Sequence, residues 1–158
     1  SCLAVAGYPM YRGLARLVGM DSTPLLEPPE DEFAAVEGAY QEYDFFFLHM
    51  KEPDSRGEDG DFVGKVRALE GIDALVPRLT ALEPDVLVVT GDHSTPAKLA
   101  AHSWHPVPVL LHSAYSRPDG VHHFDEMSCL AGSLGLRPTL DLMPLALANA
   151  RRLTKYGA

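Results

Sequence analysis

Apolar residues fall along this chain in short unbroken runs that alternate with stretches of helical spacing. Cys2 to Ala6 is such a run, stopped by Gly7 and Pro9, and it predicts a buried strand. From Met10 to Val18 the spacing is helical, with Tyr11, Leu14, Leu17 and Val18 on one side, Arg12 and Arg16 off it, and Gly19 as the C-cap. Asp21 to Asp31 carries three prolines and four acids and predicts a loop. Phe33, Val36, Tyr40 and Tyr43 mark a helix over Glu32 to Tyr43, and Asp44 to Met50 (DFFFLHM) a second buried strand. Lys51 to Gly60, rich in Gly, Pro and charge, predicts a second loop. Phe62, Val66, Leu69, Ile72, Val76 and Leu79 trace one long amphipathic helix that covers a sheet face.

The third strand is Val86 to Val89, bounded by Pro84 and Gly91. Thr95 reads as the N-cap and Pro96 as the first residue of a short helix ending near His102. Val107 to Leu111 predicts a fourth strand, and Leu142 to Leu153 a last helix that tolerates Pro144 in its first turn. Strand and helix alternate, so the expected fold class is α/β: a doubly wound, mostly parallel sheet with helices on both faces.

The chain has 158 residues, enough for one cored domain, so residues 1–158 are expected to form a single domain. A net charge of -9 argues against a nucleic-acid or anionic-membrane surface, which would need a basic stripe. An anionic substrate would need metal ions or a few placed Lys and Arg. Two cysteines, Cys2 and Cys129, make no disulfide framework, and a reducing cytoplasm is the expected location. No apolar run approaches a membrane span. The chain opens on Ser1 and enters an apolar run at once, which suggests a fragment whose earlier residues were removed.

Candidate chemistry gathers where strands end. Asp92 and His93 follow the third strand directly, at the position where open α/β sheets bind ligands. His102 closes the short helix and can fold back toward the same strand end. The loop after the second strand offers Asp54 and Glu58. If the second and third strands are parallel neighbours, Asp54, Glu58, Asp92, His93 and His102 converge as a mixed oxygen and nitrogen set suited to Mn, Zn or Fe. Two divalent ions about 3.5–4 Å apart are the usual clamp for phosphoryl transfer.

Plainer readings stand beside these. The acidic loop can be a solvated turn, Asp92 can cap the following helix, and His102 and His105 can be surface or core histidines. His49, inside an apolar strand, reads as a packed residue. His112, His122 and His123 have no acid at meaningful spacing. Ser94 beside His93 suggests a nucleophile, but part of the helix start is the better reading. No Gly-rich phosphate loop is present.

The runs FLHMKEPDSRGEDGD, KVRALEGID, VLVVTGDHSTP and AHSWHPVPVLL, in that order and spacing, resemble the carboxyl-terminal part of the cofactor-independent phosphoglycerate mutases. The similarity is to their archaeal-type branch, within the alkaline phosphatase superfamily, and extends more weakly from YRGLARLVGM to FDEMSCLAGSLG. It implies a partial alkaline phosphatase-like fold and two divalent ions, Mn or Zn foremost, with Mg or Co as further options. In the family, the residues matching Asp54 and His102 hold one metal, with a histidine where this chain has Glu58. Those matching Asp92 and His93 hold the other. Glu58 is a departure that adds negative charge and favours a harder ion.

The resemblance further implies an isomerase interconverting 2- and 3-phosphoglycerate through a phosphoserine, in glycolysis and gluconeogenesis. The nucleophilic serine, an aspartate of the second metal site and most of a substrate-closing domain are expected in an amino-terminal part this chain does not contain. The chain alone is therefore expected to be inactive, with no catalytic nucleophile of its own and Lys51 as its candidate phosphate contact. Another superfamily phosphatase, phosphodiesterase or phosphopentomutase, or an inactive metal-binding fragment, are the alternatives.

Overall fold

The computed structural model describes residues 1–153. It is α/β, with a parallel sheet and packed helices, as the alternation predicts. The described chain divides into two compact units: Ser1–Glu83 with Thr95–Ala101, and Pro84–Ser94 with the chain from His102 onward. Among the described residues no helix is long and apolar enough to cross a membrane.

The first unit is built on three strands, β1 (Cys2–Ala6), β2 (Asp21–Ser22) and β3 (Phe45–His49), all parallel and in the order β2-β1-β3. The central strand is the most apolar: Leu3 to Ala6 are all buried, as expected for a parallel strand with a neighbour on each edge. Phe33 and Val36 of α2 (Pro29–Ala39) lie buried in the same unit, and Leu3, Val5 and Val36 form a core ringed by Leu26, Phe46, Leu48, Leu79 and Leu82. Helix α1 (Pro9–Leu17) ends as predicted, with Gly19 at φ 84, a left-handed conformation that glycine adopts without steric cost.

Several boundaries differ from the sequence expectation. The predicted loop Asp21 to Asp31 contributes β2, and α2 begins three residues before Glu32 because Pro29 is preorganised for a first helical position. The predicted loop after β3 is instead α3 (Glu52–Glu58). Glu52 and Asp54 suit its N-terminal dipole, Arg56 reaches Glu52 at 3.2 Å, and Gly60 at φ 71 turns the chain out. The long helix is two, α4 (Phe62–Asp73) and α5 (Val76–Thr80), because Pro77 has no N–H to continue the ladder. Arg78 of α5 makes a bidentate pair with Glu37 of α2, at 2.7 and 2.5 Å.

In the second unit, β4 (Val86–Thr90) pairs with β5 (Val109–Ser113), and this pair is antiparallel, unlike the parallel arrangement expected for the fourth strand. The two are joined by turns and an isolated bridge in place of the crossover helix that a parallel pair would need. The predicted helix from Pro96 to His102 is a single turn: Leu99 and Ala100 donate to the Pro96 carbonyl, and Ala100 at φ 47 ends it. The short α6 (Glu126–Cys129) was not anticipated; Asp125 caps it through the Ser128 amide at 2.8 Å. The last helix, α7 (Leu142–Asn149), is shorter than the predicted Leu142 to Leu153 and closes on Asn149, whose carboxamide oxygen accepts from the buried Ser113 hydroxyl at 2.8 Å. Cys2 and Cys129 are both free thiols.

Candidate metal centre

In the first unit the chain leaves β3 at His49 and enters α3 through Lys51, so Asp54 and Glu58 stand one helical turn apart just beyond the carboxyl end of a parallel strand. The Lys51 ammonium lies between them, hydrogen-bonded to Asp54 Oδ2 and 3.6 Å from Glu58 Oε2. The hydrogen bond to Asp54, reinforced by the charges of Asp54 and Glu58, holds the Lys51 pKa above its ordinary value against the opposing effect of burial. Lys51 also sits over the Tyr8 ring, 5.2 Å from its centre.

The other carboxylate oxygen of Asp54 is taken by Thr95, whose Oγ1 donates to Oδ1 at 2.5 Å. Thr95 is 3% exposed, and its own carbonyl accepts from Lys65 Nζ of α4 at 2.6 Å. Gly57 makes this approach possible, since a Cβ there would lie 2.3 Å from the Thr95 carbonyl oxygen. Sequence reasoning took Thr95 as a helix cap and passed over Lys65, Tyr8 and Gly57. The one available signal was a threonine directly after the run Asp92-His93-Ser94.

In the second unit, Asp92 and His93 follow β4 directly, and His93 N–H donates to Asp92 Oδ1 at 3.0 Å while its Nε2 lies 3.5 Å from Asp92 Oδ2. The backbone bridge Ser94–Ser103, with Ser103 N–H donating to Ser94 O at 2.8 Å, brings the His93 and His102 rings together, centres 4.0 Å apart. Ser94 is thus a bridge residue. His105 turns to the Ser103 hydroxyl at 2.8 Å and stacks on Trp104. His49 packs against Tyr11, ring centres 3.9 Å apart, while His112, His122 and His123 are exposed. The structure therefore groups Lys51, Asp54, Glu58 and Thr95 in one unit and Asp92, His93 and His102 in the other.

Comparison with known proteins gives this arrangement a context. The model of the metalloenzyme superfamily matches residues 29–149. Probable 2,3-bisphosphoglycerate-independent phosphoglycerate mutases are similar along the chain: one from Thermotoga sp. (strain RQ2) is 51% identical over 98% of it, and one from Deinococcus radiodurans is 52% identical over 98%. The chain spans 39% and 38% of the length of these two relatives. Among solved structures, a Pyrococcus horikoshii protein matches all of the chain with TM-score 0.94 at 29% identity, the chain covering 51% of it. The cofactor-independent phosphoglycerate mutase of Thermoplasma acidophilum matches 95% of the chain with TM-score 0.73 at 25% identity, and 37% of that mutase is covered.

Proposed function

Because the chain belongs to the metalloenzyme superfamily, we propose that it is the metal-binding, carboxyl-terminal part of a phosphoglycerate mutase that interconverts 2- and 3-phosphoglycerate at a two-metal site. Both compact units would then be parts of one phosphotransfer domain, a reading supported by a family match that runs through both. The nucleophilic serine, the further metal ligands and most of the substrate enclosure would come from the remainder of the protein. The reaction belongs to glycolysis and gluconeogenesis, and the cytoplasm is its proposed location.

The donor chemistry fits the metals. Asp54, His93 and His102 offer one carboxylate and two imidazoles, a set suited to Mn or Zn and less selective for Mg. We assign Asp54, Glu58 and His102 to one ion and Asp92 and His93 to the other. Glu58 replaces a neutral imidazole with a charged oxygen ligand, and its neighbour Lys51 offsets that charge. A bound divalent ion would lower the pKa of an attacking hydroxyl and neutralise charge on the transferring phosphoryl group. Lys51 would add a point charge for a phosphate oxygen, turning from Asp54 as substrate enters.

The observation that carries this reading is the 51% identity to probable mutases over 98% of the chain, in a sequence that retains acid and imidazole donors beyond β3 and β4. Its test is conversion of 3-phosphoglycerate with Mn added, by the intact protein and by the 158-residue chain in parallel. Turnover by the intact protein alone, lost in His93→Ala, is expected. Turnover by the isolated chain would refute the assignment of the nucleophile to the rest of the protein. Phosphomonoester cleavage without isomerisation would favour a phosphatase of the same superfamily.

A further inference from the structure

We infer that Thr95 is a positioning residue for the metal centre, its hydroxyl holding the Asp54 carboxylate in its ligating orientation while Lys65 and Gly57 seat its backbone carbonyl. The inference rests on the proposed metal-binding role of Asp54 and goes beyond it, since Thr95 offers no ligand to the ion.

Three contacts within the first unit carry it. The Thr95 hydroxyl donates to Asp54 Oδ1 at 2.5 Å across 41 residues of sequence, so it fixes the carboxylate's rotation from outside its own helix. Lys65 Nζ donates to the Thr95 carbonyl at 2.6 Å, which ties the backbone of Thr95 to α4. Gly57, buried on the helix that carries Asp54, lets the same carbonyl approach so closely that a Cβ would meet it at 2.3 Å. Thr95 is thus seated from two helices and buried to 3% exposure, far more tightly than an exposed turn residue requires.

The consequence is geometric. A carboxylate with one oxygen held by a buried donor is limited in its rotation, so its other oxygen, which accepts from the Lys51 ammonium, keeps its orientation. A divalent ion arriving there would displace the Lys51 ammonium and leave the Thr95 contact in place. Such supporting hydrogen bonds are typically worth about 10–100-fold in metal affinity. Thr95 is also the first residue of the stretch Thr95–Ala101, whose covalent neighbours are Ser94 and the candidate ligand His102.

The test is titration of the metal-free intact protein with Mn alone, read by calorimetry, for the wild type, Thr95→Val and Thr95→Ser. Thr95→Val keeps the shape and removes the donor, and its Mn dissociation constant is expected to rise about 10–100-fold. Thr95→Ser restores the hydroxyl and is expected to bind within about threefold of the wild type on the same reasoning. Lys65→Met, which releases the Thr95 carbonyl, is expected to weaken Mn in the same direction. Equal affinity in the wild type and Thr95→Val would overturn the inference while leaving the metal site standing. Equal weakening in Thr95→Val and Thr95→Ser would overturn it too, by tracing the effect to packing. A wild type that binds no Mn, with Asp54→Asn indistinguishable from it, would overturn the metal reading itself.

Discussion

Glu32 sits in the first unit at 5% exposure, and it is the one buried acid there. Burial pushes its pKa up from 4.5 to about 7, against the lowering effect of an N–H from Gly7 and with a small addition from the charge of Glu27. Below pH 4.5 both folded and unfolded chains carry the proton; between 4.5 and about 7 only the folded chain does. Stability therefore falls as pH rises through that window and stays reduced above it, by roughly 1–3 kcal/mol. Glu32→Gln keeps an acceptor for Gly7 and has no charge to bury, so its unfolding temperature should exceed the wild type at pH 8 by more than at pH 5. An equal difference at both pH values would show that this carboxyl titrates alike in both states. Glu58 gives a second prediction at this scale. Glu58→His removes one negative charge beside Asp54 and replaces a hard ligand by imidazole, so the Zn-to-Mg affinity ratio of the intact protein, measured by competition titration, should rise by at least about tenfold. An unchanged ratio would place residue 58 outside the metal's ligands.

At the scale of elements, the sequence was most legible where apolar residues run unbroken. β1, β3 and β4 announce themselves as runs of four or five apolar residues, and β1, which has a neighbour on each edge, needs apolar side chains on both faces. α3 hid because its seven residues hold Gly, Pro and charge, and its stability comes from packing against α4 and Thr95, which no local pattern records. Pro77 marked the break between α4 and α5, yet the apolar spacing ran through it and favoured a single helix. The candidate ligands were legible as residue types after strand ends, whereas the Thr95–Asp54 contact joins residues 41 apart and is invisible to spacing. Two stability predictions belong here. Asp61 caps α4, accepting the Gly64 amide at 2.8 Å, and Asp61→Ala should cost about 1 kcal/mol in urea unfolding. Phe33, 1% exposed on α2, should cost about 3–5 kcal/mol as Phe33→Ala, because the void left behind adds to the lost burial. A Phe33→Ala loss no larger than that of Asp61→Ala would mean that α2 contributes little to the unit's core.

For the whole molecule, charge and composition set the problem that a metal would solve. A net charge of -9 would repel the proposed phosphorylated, carboxylated substrate, and the cation beside Asp54 and Glu58, Lys51, is engaged by both of them. Divalent ions at Asp54, Glu58, Asp92, His93 and His102 would reverse the local sign and release Lys51 toward the substrate. Under the proposed assignment the ligands come from both compact units, since Asp54 and Glu58 belong to the first and Asp92, His93 and His102 to the second. An ion bound only by the folded protein stabilises every segment whose unfolding would release it, by about 2.7 kcal/mol at a hundredfold excess over its dissociation constant. Mn should therefore slow amide hydrogen exchange in α3 and in the residues following β4 alike, and chelation should undo both effects together. Protection confined to the residues after β4 would assign the ion to Asp92, His93 and His102 alone and remove Asp54 from the site. Protection in both segments that survives in Glu58→Ala and vanishes in Asp54→Asn would rank the aspartate as the indispensable carboxylate and the glutamate as an auxiliary ligand.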